Sequence, residues 1–154
     1  MKEVTEQGAF LQLAACCARA EHCSHDMIEK MRRWGMSDEA QARVMERLVT
    51  GRYVDDERYA RAFVNDKIKY NKWGQRKVEQ ALWQKGIDDD IRHRVLSEVD
   101  DGEYLNVLKP LLQQKRRTIK ANSTYELNQK LMRFALSRGF TADIIRQCIP
   151  CCDE

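Results

Sequence analysis

Cysteine, one of the side chains that bind zinc in proteins, is concentrated near the two ends of the chain. The six cysteines form two groups: Cys16, Cys17 and Cys23, then Cys148, Cys151 and Cys152. His22 and His25 lie on either side of Cys23, and Cys148 and Cys151 have the spacing of two zinc ligands. Because neither a second CxxC nor an HxxxH completes a set of four, we predict no metal and no other cofactor.

Acidic side chains that could form a catalytic pair stand together at Asp55–Asp56–Glu57 and Asp88–Asp89–Asp90. General acid–base catalysis needs two such groups in a cleft with separated pKa values. Each cluster instead precedes an amphipathic segment, where Asp is a favourable N-cap and carboxylates favour the helix dipole. The sequence also lacks a glycine-rich phosphate loop, a GxSxG motif and an HExxH motif. We therefore predict a protein that is not an enzyme.

Basic side chains form two acid-free stretches, at 67–78 and 104–125, although the net charge is only +3. Tyr70 and Trp73 stand among the first set. Lys and Arg side chains neutralise phosphates, and an aromatic ring can stack on a base. Trp73 also fits the alternative of a core position between two helices. The pattern predicts a surface that binds a partner or nucleic acid, with these residues: Arg58, Arg61, Lys67, Lys69, Lys72, Trp73, Arg76, Lys77, Lys115, Arg116, Arg117 and Lys120.

The composition favours helices, because only 7 Gly and 2 Pro occur in 154 residues and many short strands would need more turns. No stretch approaches the roughly 18–20 apolar residues of a membrane span. The first 20 residues do not resemble a signal peptide. We expect a cytoplasmic protein without membrane contact.

A tripeptide of glycine, an apolar residue and an N-cap residue occurs three times, at intervals of 51 and 53 residues: Gly35-Met36-Ser37, Gly86-Ile87-Asp88 and Gly139-Phe140-Thr141. Glycine suits the left-handed position that ends a helix, and Ser, Asp or Thr caps the next helix. Apolar residues recur four apart on both sides of each corner, so each repeat has the same buried stripe. Cys17, Cys148 and Cys152 fall in such stripes, which indicates core packing rather than a metal site.

The predicted fold is all-α, with three tandem three-helix repeats in an elongated, curved body. Repeat 1 covers residues 1–51, repeat 2 covers 52–100 and repeat 3 covers 101–154. The helices are expected near 5–20, 24–34, 37–49, 55–71, 75–85, 88–99, 101–120, 124–138 and 141–149. Pro110 is expected to kink or restart the seventh helix, and Pro150 to limit the ninth.

Two segments resemble the characteristic motifs of the RecX family, regulators of the RecA recombinase. They are YVDDERYARAFV at 53–64 and KWGQRKVEQALWQKGI at 72–87. The resemblance implies a non-enzymatic regulator of homologous recombination, DNA repair and the SOS response. Such a protein binds the RecA filament on single-stranded DNA and mainly inhibits its ATPase, coprotease and strand-exchange activities.

The near-neutral total charge predicts that single-stranded DNA alone is bound weakly and in a salt-dependent manner. Three complete repeats with charged flanks predict a monomer. Two alternatives stay open: a helical nucleic-acid-binding regulator that acts independently of RecA, and a zinc- or redox-responsive regulator that uses the terminal cysteines.

Overall fold

The computed structural model describes residues 4–149, which form nine α-helices and no β-strand. The helices are α1 (Glu6–Arg19), α2 (Ser24–Arg33), α3 (Asp38–Thr50), α4 (Asp56–Lys69), α5 (Gln75–Gln84), α6 (Asp89–Ser97), α7 (Asp101–Arg116), α8 (Thr124–Ser137) and α9 (Ala142–Cys148). In this part of the chain no helix has both the length and the hydropathy of a membrane span. The predicted all-α helical repeat fold is confirmed.

Every helix except α7 begins and ends within two residues of its predicted bounds. The prediction that α7 extends to residue 120 is wrong, because both the N–H and the hydroxyl of Thr118 donate to the Lys115 carbonyl and close a turn there. The predicted restart at Pro110 is also wrong, since α7 continues through it. Pro110 lies on the exposed side of α7, where water can satisfy the carbonyl that its ring leaves without a donor. Pro150 lies outside the described residues.

The three glycine corners have the predicted left-handed backbone, with φ of +76° at Gly35, +70° at Gly86 and +93° at Gly139. The residue after each glycine donates its N–H to a carbonyl five residues earlier, over 3.2 Å in all three corners. Each helix end is thereby closed in the same way, and the chain can enter the next helix immediately.

The predicted caps form at two of the three corners. Ser37 and Thr141 accept hydrogen bonds from backbone N–H groups of α3 and α9. Asp88 occupies the N-cap position of α6, but its side chain accepts no capping bond. At this corner the Arg92 guanidinium instead donates to the Ile87 carbonyl over 2.5 Å and to Asp89 over 2.9 Å.

Among residues 4–149, the buried stripes form two separate hydrophobic cores. One core lies in repeat 1 and is closed by Val54 from the start of repeat 2; its repeat 1 members are Ala9, Leu13, Ala14, Met27, Met31, Val44 and Leu48. Repeats 2 and 3 share a second core, in which Leu82, Leu131 and Phe140 are almost fully buried. Cys23 of repeat 1 is fully buried in this second core. Repeats 2 and 3 are therefore one packed body, to which repeat 1 is joined.

The joint between repeats 2 and 3 places the beginning of α5 against the corner at Gly139. The N–H of Gly74 donates to the Arg138 carbonyl over 2.8 Å, and the N–H of Arg76 donates to the Gly139 carbonyl over 2.9 Å. A Cβ atom on Gly74 would lie 2.3 Å from the backbone nitrogen of Phe140. Only glycine allows this approach of two backbones.

The joint between repeats 1 and 2 likewise places the beginning of a second helix, α2, against the glycine corner of the next repeat, at Gly86, but with more polar contacts. Cys23, at the beginning of α2, places its thiol 3.8 Å from the Lys85 carbonyl, one residue before the corner glycine. The Lys85 ammonium lies 3.2 Å from Asp26, and the Ser24 N–H donates to Asp56 over 2.7 Å. Repeat 1 is thus held to repeat 2 by one buried thiol and several charged hydrogen bonds.

Candidate partner-binding surface

Helix α4 and the turn after it position the first group of predicted cations. Asp55 caps α4 as predicted, because its carboxylate accepts the Arg58 N–H over 3.0 Å. Ala60, Val64 and Ile68 then bury one face of the helix, which leaves the basic residues on the other sides. Lys72 has φ +60°, and this left-handed residue turns the chain from α4 toward α5.

Arg58 and Arg61 are paired with carboxylates of the chain itself. The Arg58 guanidinium donates to Glu21 over 2.6 Å and to the carbonyls of Arg52 and Tyr53. Arg61 forms two hydrogen bonds to Glu98, of 2.9 and 3.0 Å, and these bonds lower the pKa of that carboxyl. Since both charges are neutralised locally, these arginines add less to the surface potential than their number in the sequence suggests.

Lys67 and Lys77 lie against the half-buried ring of Trp73. Their ammonium nitrogens are 5.1 and 4.9 Å from the ring centroid, within the range of cation–π attraction. Lys67 also lies 5.3 Å from the centroid of Phe63. Trp73 therefore both fills a position between α4 and α5 and holds two ammonium groups near each other.

Lys69, Lys72 and Arg76 are exposed, and none has a carboxylate within ion-pair distance among the described residues. The Lys69 ammonium lies 5.4 Å from the Tyr70 ring, and the Lys72 ammonium donates to the Lys69 carbonyl over 2.9 Å. The backbone of Arg76 is fixed by its bond to Gly139. These three side chains therefore expose positive charge that no carboxylate of residues 4–149 neutralises.

The second predicted group lies at the end of α7 and just after it. Lys115 and Arg138 lie 5.0 and 5.3 Å from the centroid of the Phe134 ring, an arrangement that resembles the one around Trp73. Arg116, Arg117 and Lys120 are exposed and have no carboxylate partner in the described part of the chain. Cations also suit this place because the last turn of α7 carries the negative end of the helix dipole.

Arg138 connects the two groups, because its carbonyl accepts the Gly74 N–H at the joint between repeats 2 and 3. The structure therefore brings cations separated by more than 60 residues in sequence to one joint. Sequence reasoning missed Arg138, although it directly precedes the predicted corner glycine. We define the central cationic surface as Lys67, Lys69, Lys72, Arg76, Lys77, Lys115 and Arg138.

A groove of about 690 Å³ extends from this surface toward repeat 1, between α2 and α5. Lys67 and Trp73 line one part of it, and His25, Lys30 and Arg33 of α2 line another. Sequence reasoning considered His25 only as a zinc ligand and did not assign Lys30 and Arg33 to a binding surface, because Asp26 and Glu29 stand among them in the sequence. In the structure Asp26 pairs with Lys85, and Glu29 pairs with Arg32 over 2.9 Å.

Among the described cysteines, Cys23 is buried, and Cys16, Cys17 and Cys148 are half-buried free thiols. Burial raises the pKa of the Cys23 thiol to about 11 and also raises the pKa values of Cys17 and Cys148. Cys17 and Cys148 each pack against a core, which agrees with the core interpretation. Within residues 4–149, no three His, Cys, Asp or Glu side chains are grouped as metal ligands would be. Cys151 and Cys152 lie outside the described residues.

Models of two RecX domains match the chain. The second three-helix domain of RecX matches residues 55–96, and the third three-helix domain of RecX matches residues 102–149. The regulatory protein RecX of Prosthecochloris aestuarii is 33% identical over 128 residues, which cover 82% of both chains. That of Clostridium botulinum strain Alaska E43 is 34% identical over 124 residues, which cover 79% of this chain and 57% of the relative. The chain spans about half the length of several curated relatives that it matches.

Solved structures agree in fold. The crystal structure of RecX from Lactobacillus salivarius superposes with a TM-score of 0.85 at 18% identity and covers 94% of each chain. A second RecX crystal structure also gives a TM-score of 0.85 at 18% identity, over 93% of this chain and 72% of the other. The repeats, both domain matches and the identity to the Prosthecochloris aestuarii relative lead to one conclusion: the chain belongs to the RecX family of regulatory proteins.

Proposed function

We propose that this chain regulates homologous recombination and DNA repair in the cytoplasm by binding the RecA filament on single-stranded DNA. In this proposal it mainly inhibits the filament's ATPase, coprotease and strand-exchange activities, and it acts by binding rather than by catalysis. Membership of the RecX family supports the proposal. The single structural observation that carries it is the central cationic surface, whose side chains have no carboxylate partner among residues 4–149.

The surface suits a phosphate-bearing assembly for two physical reasons. Its cations stand around a joint fixed by two backbone hydrogen bonds, so the backbone need not rearrange when a partner binds, although the exposed side chains must still become ordered. Phosphate contacts release counterions, so such a surface adds affinity at low salt and loses it as salt rises. A net charge of +3 keeps the affinity for DNA alone modest, which agrees with a protein that recognises DNA and recombinase together.

The test is a triple charge reversal of Lys69, Lys72 and Arg76 to Glu. We expect this variant to require at least ten times more protein for half-inhibition of RecA's DNA-dependent ATPase. If the three cations contact single-stranded DNA, the plot of log affinity against log salt should also become less steep. The magnitude of its negative slope should decrease by about 2, since each contact contributes about 0.7. The circular dichroism spectrum should not change, because all three side chains are exposed.

The matched control reverses Arg19, Arg32 and Arg146, which are also exposed and change the net charge by the same amount. Arg32 and Arg146 belong to exposed ion pairs within single helices, which stabilise proteins little. The control should inhibit like the wild type. Equal loss in both variants would show that only net charge matters, and no loss in the first would refute the assigned surface.

The alternative is a helical nucleic-acid-binding regulator that acts independently of RecA. The observation that favours it is the groove between α2 and α5, where Lys30, Arg33 and Lys67 would extend a DNA-binding surface into repeat 1. Tight binding of an oligonucleotide at physiological salt, with no effect on RecA, would support this second function over the first.

A further inference from the structure

Trp83 on α5 is 64% exposed, which is unusual for a side chain of such apolar area. Neither a hydrogen bond, a second ring nor a cation contacts its indole in the described part of the chain. Trp73, only ten residues earlier, is half-buried and has two ammonium groups over its ring. The two tryptophans therefore serve different surfaces.

Helical spacing places Trp83 on the solvent side of α5. Val78 and Leu82 are fully buried, whereas Arg76, Gln80 and Trp83, at positions i, i+4 and i+7, are all exposed. Arg76 at one end of this stripe belongs to the central cationic surface. Gln80 and Trp83 are uncharged, so this exposed face of α5 is cationic at Arg76 and apolar at Trp83.

Between residues 79 and 90, which flank Trp83 in the sequence, every charged residue is acidic except Lys85, which pairs with Asp26. Glu79 lies one turn before it on the same helix, and the exposed Asp88, Asp89 and Asp90 begin just after the Gly86 corner. Only Asp89 among these has a cationic partner in the described residues, which is Arg92. Acidic side chains repel a phosphate backbone, so a nucleic acid strand is a poor occupant of this face.

We propose that Trp83 is the anchor of a protein-docking face, with Gln80 beside it and Glu79, Asp88 and Asp90 at its rim. The occupant is a protein surface with an apolar pocket bordered by basic side chains, which matches the ring and its acidic rim. Trp is enriched among residues that dominate protein–protein affinity, particularly when a pocket excludes water from it. The inference depends on the proposed function, because it assigns this face to the protein part of the filament and the central cationic surface to DNA.

The test is Trp83→Ala, with Tyr125→Ala as a matched control because Tyr125 is an aromatic residue of similar exposure, 62%, on α8. Each variant is titrated against RecA assembled on single-stranded DNA and, separately, against a labelled oligonucleotide without RecA. Trp83→Ala should bind the filament at least about 30-fold more weakly, the loss typical of an anchor residue. It should bind the oligonucleotide and unfold thermally like the wild type, and Tyr125→Ala should resemble the wild type in all three measurements.

Each other outcome overturns the inference for a distinct reason. Wild-type affinity of Trp83→Ala for the filament would show that the ring is not an anchor. A parallel loss of oligonucleotide binding would show that the ring stacks on bases. Dimerisation of the wild type that Trp83→Ala abolishes would assign the face to a second copy. If the wild-type chain does not bind the filament, the proposed function itself is wrong, and the inference is lost with it.

Discussion

Replacement of Gly74 by alanine should separate the joint between repeats 2 and 3. The new Cβ atom would lie 2.3 to 2.5 Å from backbone atoms of Gly139 and Phe140, which cannot move aside as a flexible side chain can. Overpacking of this kind costs about 1–3 kcal/mol. The two backbone bonds across the joint contribute about 0.5–1.5 kcal/mol each. Alanine recovers about 0.4–1 kcal/mol through the lower entropy of the unfolded chain.

The expected net loss for Gly74→Ala is about 1–6 kcal/mol with a mid-range value of about 3 kcal/mol, which corresponds to roughly 6–12 °C in thermal midpoint for a chain of this length. Circular dichroism melts and urea titrations measure both quantities. Two other glycines separate steric crowding from backbone strain. Gly35 has φ +76° but open space around it, so Gly35→Ala should lose only about 1–2 kcal/mol. Gly102 in α7 has neither problem, so Gly102→Ala should gain up to about 1 kcal/mol.

From most to least stable, the order should therefore be Gly102→Ala, wild type, Gly35→Ala and then Gly74→Ala. A Gly74→Ala protein that melts within 2 °C of the wild type would refute the close approach at the joint. If Gly35→Ala were the least stable variant, backbone strain rather than crowding would control the corners.

Two further predictions concern the joint between repeats 1 and 2. Burial opposes ionisation of Asp26, but the hydrogen bond and charge of Lys85, with hydrogen bonds from Cys23, outweigh it and lower the pKa of Asp26 below its ordinary value of 3.8. A carboxyl whose pKa is lowered by folding contributes stability that is lost as pH falls through its pKa in the folded protein. Acidification from pH 6 to pH 3 should therefore lower the free energy of unfolding of the wild type more than that of Lys85→Met, as measured in urea titrations. Equal losses in the two proteins would contradict the pairing of Asp26 with Lys85. Iodoacetamide at pH 8 should alkylate the partly exposed Cys16 in the native protein and leave the buried Cys23 unmodified until urea unfolds the protein. Peptide mass mapping measures which cysteine is labelled. Labelling of Cys23 in the native protein would mean that the joint between repeats 1 and 2 opens.

Local sequence signals predicted the fold well. Gly86 and Gly139, their following apolar residues and the four-residue stripes fix corners and helix faces through short-range physics alone. The restart expected at Pro110 does not occur, because the cost of a proline depends on whether the freed carbonyl meets water, and that is a property of tertiary position. The end of α7 depended on how Thr118 bonds to the preceding turn, which a charge pattern does not reveal.

The candidate surface was only partly predictable, because charge clustering in sequence does not show which charges are paired in space. Arg58 and Arg61 meet Glu21 and Glu98, each 37 residues away in sequence. Arg138 joins the surface only because repeat 3 docks on Gly74. Each of these relations crosses between helices and follows from packing rather than from local sequence.

The most direct test of the proposed function is RecA's ATPase on single-stranded DNA with this protein added, using the recombinase of the same organism. The protein is added first below and then at the recombinase concentration, beside a titration with DNA alone. Our proposal predicts strong inhibition already at substoichiometric amounts, because a regulator of filaments can act at ends or gaps. Unchanged ATP hydrolysis at equal concentrations, together with tight binding to DNA alone, would contradict it and favour the RecA-independent function.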